Sequence, residues 1–152
     1  MVSTVESFNL DHTKVSAPYL RVADKYFGEK GDVVTKFDIR ICQPNKSFMN
    51  TGEIHTLEHL FAVESRKVFD NIIDFSPMGC RTGFYLTIFG DYNELDVYDK
   101  ICEVMKNISI WHKDIPAITE KECGNYKDHD LYVAKGMAYS WLCGVQHKGW
   151  HY

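Results

Sequence analysis

The chain has 152 residues, 17 basic against 21 acidic, for a formal charge of −4. That length suits one domain spanning residues 1–152. With 45% hydrophobic and 25% charged residues, a disordered chain, a collagen-like fibre and a coiled coil are excluded. A pI near 5.9 and scattered Lys and Arg argue against a nucleic-acid binder or a protein that docks on anionic membranes. Apolar runs such as Leu60-Phe61-Ala62-Val63 fall far short of the roughly 18 residues of a transmembrane helix. The first residues, Met1 to Glu6, lack the basic and apolar regions of a secretory signal. Five cysteines without such a signal point to a reducing cytoplasm rather than a disulfide scaffold.

In chain order, Val33 to Cys42 reads as a strand, with Val33, Thr35, Phe37, Ile39 and Ile41 on one face and mostly polar residues on the other. Gln43-Pro44-Asn45 ends it. Gly52 to Phe69 reads as a helix, with Ile54, Leu57, Phe61 and Val68 near one stripe. Asn71 to Phe75 is a short strand closed by Ser76-Pro77. Gly83 to Phe89 is a second strong strand, apolar on both faces, which predicts that both faces of its sheet are covered, one of them by a partner subunit. Glu94 to Ile110 is a helix capped by Asn93, and Asp130 to Leu142 a last helix. Strands and helices without regular alternation indicate an α+β fold, a small mostly antiparallel sheet with helices on one face.

His55-Thr56-Leu57-Glu58-His59 carries the strongest chemical signal. Positions four apart lie about 40° from each other around a helix, so His55 and His59 can put imidazole nitrogens on one divalent metal. Glu58 is offset to the side, placed to move protons on a molecule held by the metal. Two histidines at this spacing are also a routine surface feature. The intervening Glu58 and the apolar Leu57, Leu60 and Phe61 favour a half-buried site instead. Catalytic centres commonly have three protein ligands. Cys123, in the polar segment Glu122-Cys123-Gly124-Asn125-Tyr126, is the best third candidate, with His129 as a fourth ligand or an outer partner. Cys80 sits between Gly79 and Arg81 in a loop joining two strands, where open access and an adjacent cation favour the thiolate. Cys42, Cys102 and Cys143 have apolar neighbours and read as packing residues.

Several segments together resemble the S-ribosylhomocysteine lyases, the LuxS-type enzymes of autoinducer-2 synthesis. They are Val5-Glu6-Ser7-Phe8-Asn9-Leu10-Asp11-His12, Lys36-Phe37-Asp38-Ile39-Arg40, Cys42-Gln43-Pro44-Asn45, His55-Thr56-Leu57-Glu58-His59, Ile72-Ile73-Asp74, Ser76-Pro77-Met78-Gly79-Cys80-Arg81-Thr82-Gly83 and Cys123-Gly124-Asn125-Tyr126. The resemblance implies one divalent metal per subunit on His55, His59 and Cys123, ferrous iron in the native enzyme with Zn2+ or Co2+ as substitutes. It implies a homodimer whose sheets pack against each other, with active sites at the interface. Ser7, His12 and Arg40 match residues that reach the substrate from the opposite subunit, and Asp74 matches one near the homocysteine end. Residues 144–152, with His147 and His151, match no motif.

The implied reaction cleaves the thioether of S-ribosylhomocysteine to homocysteine and 4,5-dihydroxy-2,3-pentanedione, the autoinducer-2 precursor, which ties it to quorum sensing and the methyl cycle. A ketone β to the sulfur lets loss of an α-proton expel the thiolate, so the sugar carbonyl must first migrate from C1 to C3. Cys80 is expected as base for the migrations and Glu58 as the second acid/base, including the elimination. Two other readings of the HxxEH motif are a metallopeptidase and a zinc-stabilised binding module. Both leave Cys80 without a role.

Overall fold

Alternating apolar side chains build one four-stranded antiparallel sheet in the computed structural model, which describes residues 4–152. The strands are β1 (Tyr19–Phe27), β2 (Val33–Arg40), β3 (Ile72–Pro77) and β4 (Gly83–Phe89), in the order β1-β2-β4-β3. Three helices accompany them: α1 (Thr51–Ser65), α2 (Glu94–Ser109) and α3 (Leu131–Lys148), preceded by a short 3-10 turn at Glu6–Phe8. In the β2–β4 register Phe37 pairs with Leu86 and Ile39 with Phe84. These inward residues form one core with Leu57, Leu60 and Phe61 of α1, Ile101 and Val104 of α2, and Trp141 of α3. Phe61, Phe75 and Phe84 stack in series, with ring centroids 3.8 and 4.7 Å apart. Removing a buried Phe typically costs about 3–5 kcal/mol. This stack therefore fixes α1 against the sheet and sets the direction in which its polar face points.

The α+β expectation holds, with details that differ from it or refine it: β2 ends at Arg40 rather than Cys42, α1 ends at Ser65 rather than Phe69, and β3 runs through Ser76 and Pro77 instead of closing before them. β1 is a strand that the alternation did not reveal. Its register to β2 shifts between Val22 and Asp24, and such a bulge breaks the period of two. The outward positions of β2 are not a solvated face, because Asp38 and Arg40 are buried. The outward face of β4 is only half covered within one subunit: Tyr85 and Thr87 are partly buried and Phe89 is exposed. Finally, α3 continues past Leu142 to Lys148. The C-terminal residues then cross the start of β1. The Leu20 amide donates to the Trp150 carbonyl (3.0 Å), and the rings of Tyr152 and Tyr19 lie 5.6 Å apart. Gly144 permits this approach, since a Cβ there would lie 2.4 Å from Pro18 Cγ.

The outward ends of β1 and β2 hold a buried ionic cluster. Asp38, fully buried, accepts from Arg40 Nη2 (2.7 Å), Arg40 Nε (3.1 Å), Arg21 Nε (3.3 Å) and the Tyr19 hydroxyl (3.3 Å). Arg21 also donates to both oxygens of Glu6, at 2.8 and 3.3 Å. Two carboxylates and two guanidiniums thus balance. Burial disfavours the Arg21 and Arg40 cations, but the bonded carboxylates outweigh it and raise both pKa values above the ordinary arginine range.

Candidate metal centre and catalytic residues

α1 begins at a reciprocal cap. Glu53 accepts from the Asn50 backbone amide (2.7 Å) and from its side-chain amide (2.8 Å). The cap sets the helical phase, so His55, Glu58 and His59 fall on the face away from Leu57, Leu60 and Phe61, which are buried. The residues after α2 close over that face. His55 Nδ1 donates to the carbonyl of Asp128 (2.9 Å), and His59 Nδ1 to that of Pro116 (2.8 Å). A carbonyl only accepts, so each Nδ1 carries the proton and each Nε2 presents a lone pair. Backbone carbonyls fix metal-ligating imidazoles in this way in many proteins.

Cys123 Sγ lies 3.3 Å from His55 Nε2, and ligand atoms of His55, His59, Cys123 and His129 all lie within 4.8 Å of one another. Two imidazoles and a thiol form a donor set suited to zinc or another borderline-soft divalent ion. The His55 and His59 rings meet at 90°, which lets their lone pairs converge. The His129 ring stacks on His55 at 4.0 Å and 23°, and its Nε2 is buried without a hydrogen-bond partner, which is compatible with a fourth ligand as well as with an outer partner. The Thr56 hydroxyl donates to Gly52 O (2.8 Å), so it accepts from the Asp130 amide (3.0 Å) and from His129 Nδ1 (3.2 Å). Burial, then the neighbouring His55 and His59, lowers the pKa of His129. The neutral ring is therefore favoured, packed against His55.

A cleft of about 520 Å³ opens beside these groups. His55, Glu58, His59, Arg66, Asp74 and Cys123 line it. A larger, more apolar groove of about 790 Å³ lies along α3 and residues 41–48 and includes none of the candidate site residues. Of the residues expected to touch substrate, Asp74 alone borders the metal cleft. Ser7 lies in the 3-10 turn and lines a small hollow with Lys36 and Tyr85. His12 Nδ1 donates to Leu10 O (2.8 Å).

Cys80 is exposed in the loop between β3 and β4 and does not line the cleft. Backbone bonds pin that loop. Met78 N donates to Gly83 O and Arg81 N to Met78 O, both at 2.9 Å, and Ile41 N and Cys42 N both donate to Thr82 O at 2.9 Å. Gly83 is required there because a Cβ would lie 2.5 Å from Ile39 O across the ladder. Arg81 takes a left-handed backbone (φ 61°) and turns its guanidinium over the Phe48 ring, 4.4 Å from its centroid. The group bonded to the Cys80 sulfur is instead the Thr82 hydroxyl, at 3.1 Å, which also accepts from Arg40 Nη1 at 2.9 Å. Arg81 is adjacent in sequence but turns away to Phe48, whereas strand pairing brings Arg40 beneath the loop. Cys143 is exposed rather than packed, while Cys42 and Cys102 are half-buried, and burial pushes both of those thiols up.

The fold and donor set define a small α+β protein built around a Cys/His metal-binding group. The S-ribosylhomocysteinase (LuxS) family model matches residues 5–150, so the chain belongs to that family. Relatives include the S-ribosylhomocysteine lyase of Streptococcus equi subsp. zooepidemicus (strain H70), 48% identical over 136 residues, covering 88% of this chain and 84% of that protein. Those of Oenococcus oeni (strain ATCC BAA-331 / PSU-1) and Clostridium perfringens (strain ATCC 13124) are 48% and 49% identical, covering 90% and 88% of this chain and 88% of each relative.

Proposed function

We propose that the chain is a metal-dependent S-ribosylhomocysteine lyase and that each active site is assembled from two subunits. The observation that carries the second half is the division of the candidate residues into two groups within one subunit. His55, Glu58, His59, Asp74 and Cys123 share the cleft. Cys80 is bonded through Thr82 to Arg40, and Asp38, Arg21 and Glu6 extend that network to the turn bearing Ser7. A reaction that needs Cys80 and Glu58 on one sugar therefore draws them from different copies. The half-covered outer face of β4 is available for that pairing, and closed two-fold dimers are the commonest homo-oligomers.

His55, His59 and Cys123 would hold the metal, with His129 packed against His55. A divalent ion there, ferrous iron with zinc or cobalt as substitutes, supplies a Lewis acid that polarises the sugar carbonyl. Glu58 holds and returns protons from the cleft side. The Cys80 thiolate takes protons from the carbons next to the carbonyl on the opposite side. Two such transfers move the carbonyl to C3. Glu58 then removes the α-proton, the C–S bond breaks with its electron pair on sulfur, and homocysteine leaves beside 4,5-dihydroxy-2,3-pentanedione. Asp74, at the cleft border, is placed to accept from the homocysteine ammonium. We assign the enzyme to the cytoplasm. Five free cysteines support this, and no helix among the described residues is long and apolar enough to cross a membrane.

Subunit complementation tests the reading. Glu58→Gln and Cys80→Ala proteins should each be inactive in thiol release from S-ribosylhomocysteine. Exchanged in equal amounts, half of the dimers are mixed and each has one intact site, so about a quarter of wild-type activity returns. No recovery after demonstrated subunit exchange would place both groups in one subunit. No thiol release by metal-loaded wild-type protein would overturn the lyase assignment itself.

A further inference from the structure

We infer that Thr82 is a positioning residue that donates a hydrogen bond to the Cys80 thiolate and passes the field of Arg40 to it; the inference rests on the role of Cys80 proposed above. The hydroxyl has one proton and two lone pairs. Arg40 Nη1 only donates, so at 2.9 Å it occupies one lone pair of Thr82 Oγ1. The hydroxyl proton is then free to point at Cys80 Sγ, 3.1 Å away. A thiolate accepts only, so once the sulfur is deprotonated the direction is fixed: Arg40 to Thr82 to Cys80.

The chain is buried at its base and open at its tip. Asp38 is fully buried, Arg40 is 2% exposed and Thr82 5% exposed, while Cys80 is exposed. Asp38 holds the guanidinium through Nε and Nη2, which leaves Nη1 directed at Thr82. The Thr82 backbone carbonyl is held in turn by the amides of Ile41 and Cys42. Thr82 therefore cannot drift from the sulfur without breaking the ladder end. Any threonine at this site could pack. A hydroxyl aligned between a buried cation and a reactive sulfur has a chemical use as well.

The donor acts in two opposing ways. Hydrogen bonds to charged acceptors are in general worth about 10- to 100-fold. Each thiolate also becomes less nucleophilic, with a Brønsted slope of about 0.4–0.5. The net effect on alkylation near neutral pH is therefore about 3- to 10-fold.

The test is the rate of iodoacetamide alkylation of Cys80 in the metal-loaded, full-length protein at pH 7, read by peptide mass spectrometry without substrate. Thr82→Val and Thr82→Ala should both slow Cys80 by about 3- to 10-fold, while Thr82→Ser stays within about 2-fold of wild type. Cys143 in the same samples should keep its rate, and Cys42 and Cys102 should remain slow, which reports an intact fold. In the lyase assay Thr82→Val should lower kcat with little change in KM, and Thr82→Ser should restore it. Wild-type alkylation rates in Thr82→Val or Thr82→Ala, or a Thr82→Ser protein as slow as Thr82→Val, would overturn the inference. Because alkylation needs no turnover, that failure is distinct from failure of the lyase assignment.

Discussion

Truncating Asp38 to Ala should strip the ionic cluster of its centre. Four contacts disappear, those to Arg40 Nη2 and Nε, to Arg21 Nε and to the Tyr19 hydroxyl. Arg21 keeps its two bonds to Glu6, but Arg40 retains only Thr82 among these partners. A guanidinium that is 2% exposed is then left without its counter-charge. Breaking a buried pair from one side costs about 3–5 kcal/mol. Two of the lost contacts are long, at 3.3 Å, which places the expectation near the lower end, about 3–4 kcal/mol. That is a large share of the roughly 5–15 kcal/mol by which domains are stable. At about 2–4 °C per kcal/mol for a chain of this size, Tm should fall by about 6–16 °C.

Urea unfolding followed by circular dichroism measures this, at one protein and metal concentration because binding and association shift apparent stability. The replacement Asp38→Val with Arg40→Met provides the control, since it removes the orphaned charge together with its partner. It should lose less than Asp38→Ala alone. A loss below about 1 kcal/mol for Asp38→Ala, or a double variant less stable than the single, would refute the argument that an uncompensated buried cation sets the cost.

Two other outcomes follow from titration and exposure. At pH 8, limiting iodoacetamide should label Cys80 and Cys143 before Cys42 and Cys102, whose thiols burial pushes up; early labelling of Cys102 would contradict its place on α2. The lowered pKa of His129 makes the unfolded chain bind its proton first as pH falls. The contribution of this group to the metal-stripped protein is therefore complete above about pH 6.5 and is lost as pH falls through the folded-state pKa. His129→Gln should flatten the fall in urea midpoint between about pH 7 and 5, and an unchanged slope would remove His129 as a contributor.

The sequence by itself determined what depends on local period and on residue type. The run from Gly83 to Phe89 forms a strand with those bounds, and Asn93 caps α2 through the Asp96 amide, as its position predicts. His55 and His59 share a helical face because the α-helix repeats every 3.6 residues, whatever packs around it. Only the tertiary structure decided features made by contacts between distant segments. β1 escaped notice because its bulge breaks the alternation. Asp38 and Arg40 fall on the mostly polar face of β2, yet strand pairing with β1 buries them against Arg21 and Tyr19. The tautomers of His55 and His59 depend on carbonyls 73 and 57 residues away. Cys80 bonds to Thr82 two residues away, but the cation behind Thr82 comes from the end of β2 rather than from adjacent Arg81. Sequence distance does not encode such neighbours, because antiparallel pairing joins residues by register, and register emerges only when the whole sheet has formed.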